Sequence, residues 1–469
     1  MTILCFSSEI KYLYYPNFNR KISSIGEQLY LRFGYIKYPY TIYEDVKKVD
    51  PNYLLELEIG KNKIKLVKIY ENKENKISKK NFNDVNNEFE EKLEKSVRQH
   101  LVSDRPVGCF LSGGIDSSLV TYFAKKHSTN KLHTFSIGFK NKDYDETESA
   151  KKISNLIGTN HHILTMDNNN FYEIVKNISK YLDEPFADSS LIPTILLCRE
   201  SKKYVDVVLT GDGSDEYFFG YNRYKFFNKI NKITFNTNIY IRKLLKFILI
   251  KMSFNLIKIF FKLLPFQLTK RDYENFYKFI EVLDANSEKE LFLKIISDNN
   301  FFKFNNKINF AEYKLDTIRD ISKFDQNIYL SENGMTKIDR ASMYFSLETR
   351  SPFLSKNITL FANNLSPEQH TNNFKDLKVI PKILFQKLIG KYFLQKHKTG
   401  FSIPPDLFFN KNIRDIILLK CENFILKNGD MVNKKLFNKY VKLYINNETF
   451  NVNLWKIYIY QCWLEREKS

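Results

Sequence analysis

Serines and glycines surround a single carboxylate in the stretch Phe-Leu-Ser-Gly-Gly-Ile-Asp-Ser-Ser, which runs from Phe110 to Ser118. Apolar runs at 107–111 and 119–124 flank it, so the sequence predicts a strand, a tight turn and the start of a helix. Gly113 and Gly114 let the backbone approach a ligand closely, and the first N–H groups of the helix carry the positive end of its dipole. The stretch is therefore a candidate phosphate-binding loop.

Asp116 gives this loop a chemistry different from that of a Walker loop, because no Gly-Lys-Ser/Thr sequence closes it. A carboxylate beside a chain of phosphates is repelled unless a divalent cation lies between them. Asp116 therefore predicts Mg²⁺ shared with phosphate oxygens. Three hydroxyl donors accompany it: Ser112, Ser117 and Ser118. The alternative is a turn that only caps a helix, and the joint occurrence of strand, turn, carboxylate and helix disfavours it.

A second acidic turn follows the apolar run at 206–210 and reads Gly-Asp-Gly-Ser-Asp-Glu from Gly211 to Glu216. Three carboxylates within five residues repel one another unless a cation or a reacting group uses them. Asp215 is the natural second Mg²⁺ ligand opposite Asp116, and Asp212 could orient or deprotonate an incoming amine. Taken alone, the turn is as typical of a helix cap. Beside a phosphate loop, the catalytic interpretation is preferred.

The strands that would position these turns lie at 107–111, 132–139, 161–166 and 206–210. Helical patterns at 89–102, at 146–157 and beginning near 172 and 193 alternate with them, which predicts an α/β fold with a doubly wound parallel sheet. Ligands bind beyond the carboxyl ends of such strands, so Leu111, Ile137 and Thr210 should converge on one crevice. His161 and His162 point to opposite faces of a strand and are expected to be structural.

The two ends of the chain differ in pattern. Residues 1–70 are predicted to form strands and turns, with strands at 3–6, 29–35, 53–58 and 64–69. A polar, lysine- and asparagine-rich segment, 71–84, is predicted to be a linker. Beyond Tyr217 the pattern is mostly helical, without an internal repeat. The sequence thus predicts a small β-rich part, a linker and a large α/β part over 85–469.

Composition narrows the class of protein. The 469 residues carry a net charge of +20, but the lysines are spread along the chain among Asn and Ile, so nucleic acid is a disfavoured partner. Five widely spaced cysteines without a Cys-x-x-Cys pair predict neither disulfides nor a zinc site and fit the cytoplasm, with Cys109 and Cys198 in the core. The start of the chain has no signal-peptide pattern. Six basic residues interrupt the segment 240–266, which predicts helices packed on the protein and not a membrane span.

Several ordered motifs carry a family resemblance. Ser-Gly-Gly-x-Asp-Ser-Ser resembles the pyrophosphate loop of ATP pyrophosphatases. With it, four blocks from about residue 85 to the end are similar to the synthetase domain of class B, glutamine-dependent asparagine synthetases: 183–190, 337–343, 346–354 and 396–404. The resemblance implies an ATP-pyrophosphatase-type sheet, a largely helical C-terminal part and the cofactors ATP and Mg²⁺.

The resemblance also implies roles for individual residues. Asp116 and Asp215 would hold Mg²⁺, and Asp212, Glu216 and Lys398 would be the catalytic residues, with Lys398 against the phosphates. Many family members have Glu at the position of Asp212. Asp116 would also contact ATP. Together with it, the residues that would bind ATP and pyrophosphate, of which Ile137, Thr210 and Gly211 would lie near the adenine, are Leu111, Ser112, Gly113, Gly114, Asp116, Ser117, Ser118, Ile137, Thr210 and Gly211.

The front end departs from the family pattern, because Thr2 follows Met1 where family members have a nucleophilic cysteine. Cys5 lies in a strand-like run and cannot supply an α-amino group as base. Residues 1–70 resemble only the tail of a glutaminase domain. Ammonia would then be taken directly, or come from a separate glutaminase subunit, or the gene start is truncated.

The resemblance implies a ligase that adenylates a small carboxylic acid, with aspartate preferred, and transfers ammonia to give asparagine. The same chemistry on a sugar uronate or a peptide carboxylate is an alternative. A tRNA-modifying pyrophosphate-loop enzyme is another, against which the scattered lysines and the lack of a cysteine pair speak. A non-catalytic relic would not need to keep Asp116, Asp215 and Lys398. A homodimer stays open.

Overall fold

The computed structural model describes residues 4–13, 20–58, 63–69, 81–251, 279–297, 300–304, 310–394 and 402–468. Its strands are β1 (Tyr53–Glu58), β2 (Lys63–Lys68), β3 (Val107–Phe110), β4 (His133–Phe139), β5 (Asn160–Met166), β6 (Val207–Leu209) and β7 (Glu348–Arg350). β1 and β2 form an antiparallel hairpin. The other five form a parallel sheet in the order β5-β4-β3-β6-β7, as the alternation of strands and helices predicted.

Helices make up most of the rest of the described chain. The first half contains α1 (Ser24–Phe33), α2 (Phe82–His100), α3 (Ile115–His127), α4 (Thr147–Ile157), α5 (Asn168–Lys176), α6 (Leu191–Ser201), α7 (Ser214–Tyr217), α8 (Asn222–Phe235) and α9 (Ile239–Lys251). The second half contains α10 (Glu288–Ile296), α11 (Ile318–Phe324), a π-helix (Asp325–Met335), α12 (Thr336–Met343), α13 (Lys356–Asn363), α14 (Pro367–Thr371), α15 (Val379–Leu388), α16 (Pro405–Phe408), α17 (Lys411–Asn428), α18 (Lys434–Ile445) and α19 (Val452–Arg466).

The strand order creates a switch point in the sheet. From β3 the chain passes through α3 to β4 and through α4 to β5, moving toward one edge; β6 then pairs on the other side of β3. The loops that follow β3 and β6 therefore leave the sheet in opposite directions and open a crevice between them. Both acidic turns lie at this crevice.

Two apolar cores hold the sheet. One contains α2, α3 and β3, and α2 contributes Val85, Phe89, Leu93 and Val97, each four residues after the last, as expected for an amphipathic helix. The other contains α1, β4, α6 and α19. The helix α2 begins at Phe82, seven residues before the predicted start, because Asn81 caps it by accepting a hydrogen bond from the N–H of Asp84. The last residues of the predicted linker are thus helical.

The strand predicted at 29–35 is wrong, because residues 29–33 belong to the helix α1. Ser23 accepts a hydrogen bond from Gly26 N–H at its start, and Gly34 ends it with a φ of +85°. Tyr30 is fully buried and donates its hydroxyl to the carbonyl of Lys456 in α19 at 2.7 Å. Tertiary packing thus overrides the strand preference of the aromatic residues.

Other predictions for the ends of the chain have mixed outcomes. Leu4 to Phe6 form no strand, and residue 3 lies outside the described residues. The strands at 53–58 and 64–69 are confirmed as β1 and β2, and the mostly helical pattern beyond Tyr217 is confirmed except for the short edge strand β7. Cys109 and Cys198 are buried, as predicted.

The hairpin of β1 and β2 has one apolar and one charged face. Leu55 pairs with Leu66 and Leu57 with Ile64 on one face, whereas Glu56 pairs with Lys65 on the other. Every residue of β1 is exposed, and so is all of β2 except half-buried Val67. The apolar face is therefore uncovered by the described residues.

None of the described helices combines the length and the apolarity of a bilayer span. Of the basic segment 240–266, only 240–251 is described, as most of α9. Arg242 is buried there and donates to the carbonyls of Leu283 and Ala285 at 3.0 and 2.8 Å. Arg242 and Leu249 thus pack on the protein, whereas Tyr240, Ile241 and Leu244 are exposed, so the expected packing is met only in part.

Candidate active site

The first loop of the crevice connects β3 to α3. Gly113 has a φ of +78°, and a Cβ at this position would lie 2.8 Å from the backbone nitrogen of Ala150 in α4, so only glycine fits. The Ser117 hydroxyl bridges the loop, since it accepts from the Ser112 N–H at 3.2 Å and lies 3.3 Å from the Gly114 carbonyl. Hydrogen bonds within the loop thus preset the N-terminus of α3, whose first N–H groups face the crevice.

The second loop connects β6 to α7 and packs directly on the first. A Cβ at Gly211 would lie 2.8 Å from both the Asp116 Cβ and the Ser117 nitrogen, so the two backbones touch there. Ser214 donates its hydroxyl to Asp116 Oδ1 at 2.7 Å. The two acidic turns that were predicted to converge are therefore in contact.

Lys378 joins the carboxylates of both loops. Its Nζ lies 2.6 Å from Asp116 Oδ2 and 2.6 Å from Asp215 Oδ1. Asp116 and Lys378 are buried, and Asp215 is half-buried. Asp116 and Asp215 thus aim oxygens at one point occupied by a positive charge.

This pair suits a divalent cation whose other ligands come from elsewhere. Within the described ranges, no group of three or more His, Cys, Asp or Glu residues is arranged to hold a metal. Two carboxylates from neighbouring loops at a helix N-terminus are nevertheless the typical protein contribution to an Mg²⁺ that phosphate oxygens complete. The residues present therefore fit the metal that the sequence predicts.

Glu216 lies behind the pair and is almost fully buried, with 3% of its surface exposed. Its Oε1 accepts a hydrogen bond from the Tyr221 hydroxyl at 2.5 Å. Burial raises the pKa of Glu216 to about 7; the bond from Tyr221 opposes this rise and the charge of Asp215 adds to it. The carboxyl group can thus hold or release a proton near neutral pH.

The other wall of the crevice carries a lysine, Lys337, in α12 directly after the π-helix. Its Nζ lies 3.8 Å from Asp188 Oδ2. Burial lowers the pKa of Lys337, but the charges of Asp188 and Asp212 outweigh this and raise the pKa above its usual value. Lys337 thus stays charged and faces the turn that contains Asp212.

Comparisons with known proteins agree with this architecture. A family model described as asparagine synthase matches residues 88–465. The chain belongs to the asparagine synthase family. Asparagine synthetase [glutamine-hydrolyzing] 1 of Bacillus subtilis is 30% identical over 419 residues, which are 85% of this chain and 62% of that relative. A putative asparagine synthetase [glutamine-hydrolyzing] 2 of Methanocaldococcus jannaschii is 38% identical over 222 residues, which are 46% and 42% of the two chains.

This member of the asparagine synthase family therefore spans less than two thirds of the length of these two relatives. Among solved structures, NMN synthetase from Francisella tularensis matches 29% of this chain and 58% of its own, with 16% identity and a TM-score of 0.22. That similarity is too low to define the fold, which rests on the sheet itself.

The predicted residues of this asparagine synthase family member mostly lie around the crevice. Thr210 is buried, and its hydroxyl lies 3.0 Å from that of Ser351. Ile137 is buried in β4, beside β3. Asp212 is half-buried in the second loop, and the buried hydroxyl of Ser118 has no hydrogen-bond partner among the described residues. Lys398 lies outside the described residues.

Two carboxylates of the block 183–190 lie away from the crevice. Asp183 accepts hydrogen bonds from the N–H groups of Ile10 and Lys11 at 2.8 and 2.9 Å. Glu184 forms an ion pair with Lys48. These two residues thus fasten the N-terminal segment, and Asp188 of the same block faces the crevice through Lys337.

Sequence reasoning missed the role of two lysines. Lys337 belongs to the family motif 337–343, so the sequence contained a signal for it. The motif does not reveal that its side chain faces the crevice. Lys378 had no signal, because it is one of 73 lysines and arginines and reaches Asp116 only through the fold.

Proposed function

We propose that this chain is an ATP-dependent amide-forming ligase with an ATP-pyrophosphatase-type sheet. It adenylates the β-carboxylate of aspartate and transfers ammonia to give asparagine. The observation that carries the proposal is the pair Asp116 and Asp215, which come from two loops and face one cation position at the N-terminus of α3. A triphosphate bound at this helix end would place its oxygens against the same position.

ATP would lie across the switch point of the sheet. The residues from Leu111 to Ser118 would hold the phosphates through backbone N–H groups and hydroxyls, and Ile137, Thr210 and Gly211 would line the adenine side. Asp116 and Asp215 would hold Mg²⁺, which neutralises phosphate charge when bound. Asp116 and Asp215 follow β3 and β6, the two strands at the switch point, and this position supports the assignment.

The first half-reaction would form a new bond between an oxygen of the substrate carboxylate and the α-phosphorus of ATP. The bond from that phosphorus to the bridging oxygen breaks, and pyrophosphate leaves with the electron pair. Negative charge builds up during this step, so fixed cations lower its barrier. Lys337 in the crevice wall and Lys398 in the family motif are the cations proposed for this task.

The second half-reaction would form the amide. The nitrogen of ammonia attacks the acyl carbon, AMP leaves with the electron pair of its bond to that carbon, and one nitrogen proton passes to a base. Asp212 and Glu216 are the proposed acceptors. Glu216 is buried beside the crevice with a pKa of about 7, close to the value that a base needs at neutral pH.

The source of nitrogen is part of the proposal. Both relatives named above are described as glutamine-hydrolyzing, and this chain covers 62% and 42% of them. We assign residues 1–70 to a glutaminase-like segment, the stretch before α2 to a linker, and the chain from Phe82 onward to the synthetase part, acting in the cytoplasm. Three sources of ammonia are compatible with this assignment: the solution, a separate glutaminase subunit, or a glutaminase segment that precedes this sequence.

The test is a screen of acids for acid-dependent release of pyrophosphate from Mg-ATP in the presence of ammonium. Aspartate should release AMP and pyrophosphate in equal amounts and yield asparagine, whereas glutamine should not replace ammonium. Release of ADP and phosphate would exclude adenylation. Pyrophosphate release with a uronate or peptide acid, but not with aspartate, would keep the adenylation and replace the substrate.

A further inference from the structure

Lys378 occupies the place that the proposed function gives to a divalent cation. Its ammonium contacts Asp116 Oδ2 and Asp215 Oδ1, both at 2.6 Å, and the residue is 6% exposed. A metal that these carboxylates share would require the same two oxygens. The ammonium and the metal therefore compete for one position.

The backbone around Lys378 is built to deliver this side chain. Lys378 has a φ of +57°, and three other non-glycine residues of the preceding loop also have positive φ: Asn372, Asn373 and Phe374. Such conformations are uncommon outside glycine and persist where surrounding contacts offset their strain. Strain of this kind, concentrated in the loop that ends at a buried lysine, indicates that the position of the lysine matters.

Gly220 leaves the space that the ion pair between Lys378 and Asp215 occupies. A Cβ at Gly220 would lie 1.7 Å from Asp215 Oδ1 and 2.7 Å from the Lys378 Cε, so no other residue leaves room for this ion pair. The N–H of Gly220 also donates to the Asp215 carbonyl at 2.8 Å. The ion pair between Lys378 and Asp215 is thus closely packed on the side of Gly220.

We propose that Lys378 is an internal counter-cation that holds the metal position in the nucleotide-free enzyme. It keeps Asp116 and Asp215 paired and excludes divalent ions that arrive alone. A divalent ion that arrives with ATP brings phosphate oxygens, to which the displaced ammonium can turn. Metal and nucleotide then bind together, and the two carboxylates are never left facing each other uncompensated. The inference rests on the proposed function, because it takes Asp116 and Asp215 as the metal ligands.

The test titrates Mn²⁺ into nucleotide-free protein and follows the free ion by electron paramagnetic resonance. Wild-type protein should bind Mn²⁺ weakly, and Lys378→Met at least about tenfold more tightly, since no ammonium then occupies the position between the two carboxylates. With α,β-methylene-ATP present, wild-type protein should bind tightly too, and the difference should shrink. Lys382→Met is the matched control: this lysine lies in α15, the helix that Lys378 directly precedes, pairs with Asp376 at 3.5 Å and should leave Mn²⁺ binding unchanged.

A second readout covers the case in which the methionine variant does not fold. Lys378→Gln keeps a donor for one carboxylate, and its melting temperature in EDTA should be below that of wild-type protein. Mg²⁺ alone should raise the melting temperature of the variant, but not that of wild-type protein. Equal responses of both proteins to Mg²⁺ would overturn the inference.

One further variant separates the two possible failures. If wild-type and Lys378→Met bind Mn²⁺ equally, while Asp215→Asn loses nucleotide-dependent binding, the counter-cation role is wrong and the metal site stands. If Asp215→Asn binds Mn²⁺ with nucleotide as tightly as wild-type protein, the metal site of the proposed function fails.

Discussion

The crevice and the hairpin of β1 and β2 depart from ordinary burial in opposite ways. In the crevice, charged groups are buried: Asp116, Glu216 and Lys378 are each less than 9% exposed. In the hairpin, apolar groups are exposed, with Leu57 at 44% and Leu66 at 55%. Proteins usually bury the apolar groups and expose the charged ones.

The difference lies in the range of the contacts. Crevice contacts join residues far apart in sequence, such as Lys378 and Asp116, 262 positions apart. Hairpin contacts join residues of two neighbouring strands. Burial of charge costs free energy, so it persists where many long-range contacts compensate for it, and chemistry is the usual reason for keeping it. We therefore expect substitutions in the crevice to change turnover and those in the hairpin to change little.

The largest effect is expected for Asp116→Ala. This change removes one of the two proposed metal ligands and leaves the Lys378 ammonium with Asp215 alone. Acid-dependent pyrophosphate release should fall by about 10³-fold in kcat/KM. The control is Glu148→Ala, which removes an exposed carboxylate whose partner is Lys152 one turn along α4. Near-normal turnover in Asp116→Ala would contradict the expectation that crevice carboxylates, unlike surface carboxylates, are needed for turnover.

A smaller loss is expected for Gly220→Ala, which adds one methyl group where the crevice has no space. The new Cβ would displace the Asp215 carboxylate, and a shift of about 1 Å in a reacting group costs about 10²-fold in rate. Gly429→Ala is the control, because Gly429 has an ordinary φ of −60° and the nearest atom to its Cβ lies at 3.6 Å. Equal rates for the two variants, in the pyrophosphate assay, would show that the close approach at Gly220 is not needed.

The sequence predicted the centre of the fold because its signals are local. The apolar runs of β3 to β6 alternate with helices, and this alternation is enough for a parallel sheet. Edge strand β7, Glu-Thr-Arg, has no apolar run, and its pairing with β6 joins residues about 140 positions apart. Helix α1 was missed because its aromatic residues favour strands, and its packing against α19 is decided at the other end of the chain.

The residues of the site also differ in whether the sequence could predict them. The turns with Asp116 and Asp215 could be found because glycine and carboxylate spacing is itself the signal. Lys378 could not, because its place depends on a loop with four positive φ values that no sequence pattern reveals. The position of the Lys378 ammonium between the two carboxylates can therefore be found only from the structure.

A medium effect on stability is expected from His370, which lies behind the crevice. Its ring is buried against Phe218 and Phe219, which follow α7, and its Nε2 lies 3.0 Å from the Ala362 carbonyl. Burial lowers the pKa of His370 to about 4; the hydrogen bond to Ala362 opposes this, and the charge of Arg319 lowers the pKa further. The unfolded chain therefore takes up a proton first as the pH falls below about 6.5, and the folded state loses stability down to about pH 4.

This residue alone should lower the free energy of unfolding by about 2 kcal/mol between pH 8 and pH 5. In His370→Gln the difference between the two pH values should shrink by that amount, measured by urea denaturation. The free energies of unfolding at pH 8 correct for the packing that the substitution removes, since His370 is neutral in both the folded and the unfolded chain at that pH. If the difference between pH 8 and pH 5 is the same in His370→Gln as in wild-type protein, the His370 ring is hydrated. The residues behind the crevice are then less fully buried than the structure shows.

The smallest effect is expected for Leu57→Ser in the hairpin. Leu57 is exposed and contacts Ile64 across the strands, so the free energy of unfolding should change by less than about 0.5 kcal/mol, and pyrophosphate release should be unaltered. The matched buried variant, Leu119→Ser in α3, removes a fully buried side chain and should cost several kcal/mol. Urea denaturation measures both. A loss above about 2 kcal/mol for Leu57→Ser would show that the apolar face is covered in solution, and the hairpin would then obey the ordinary burial rule.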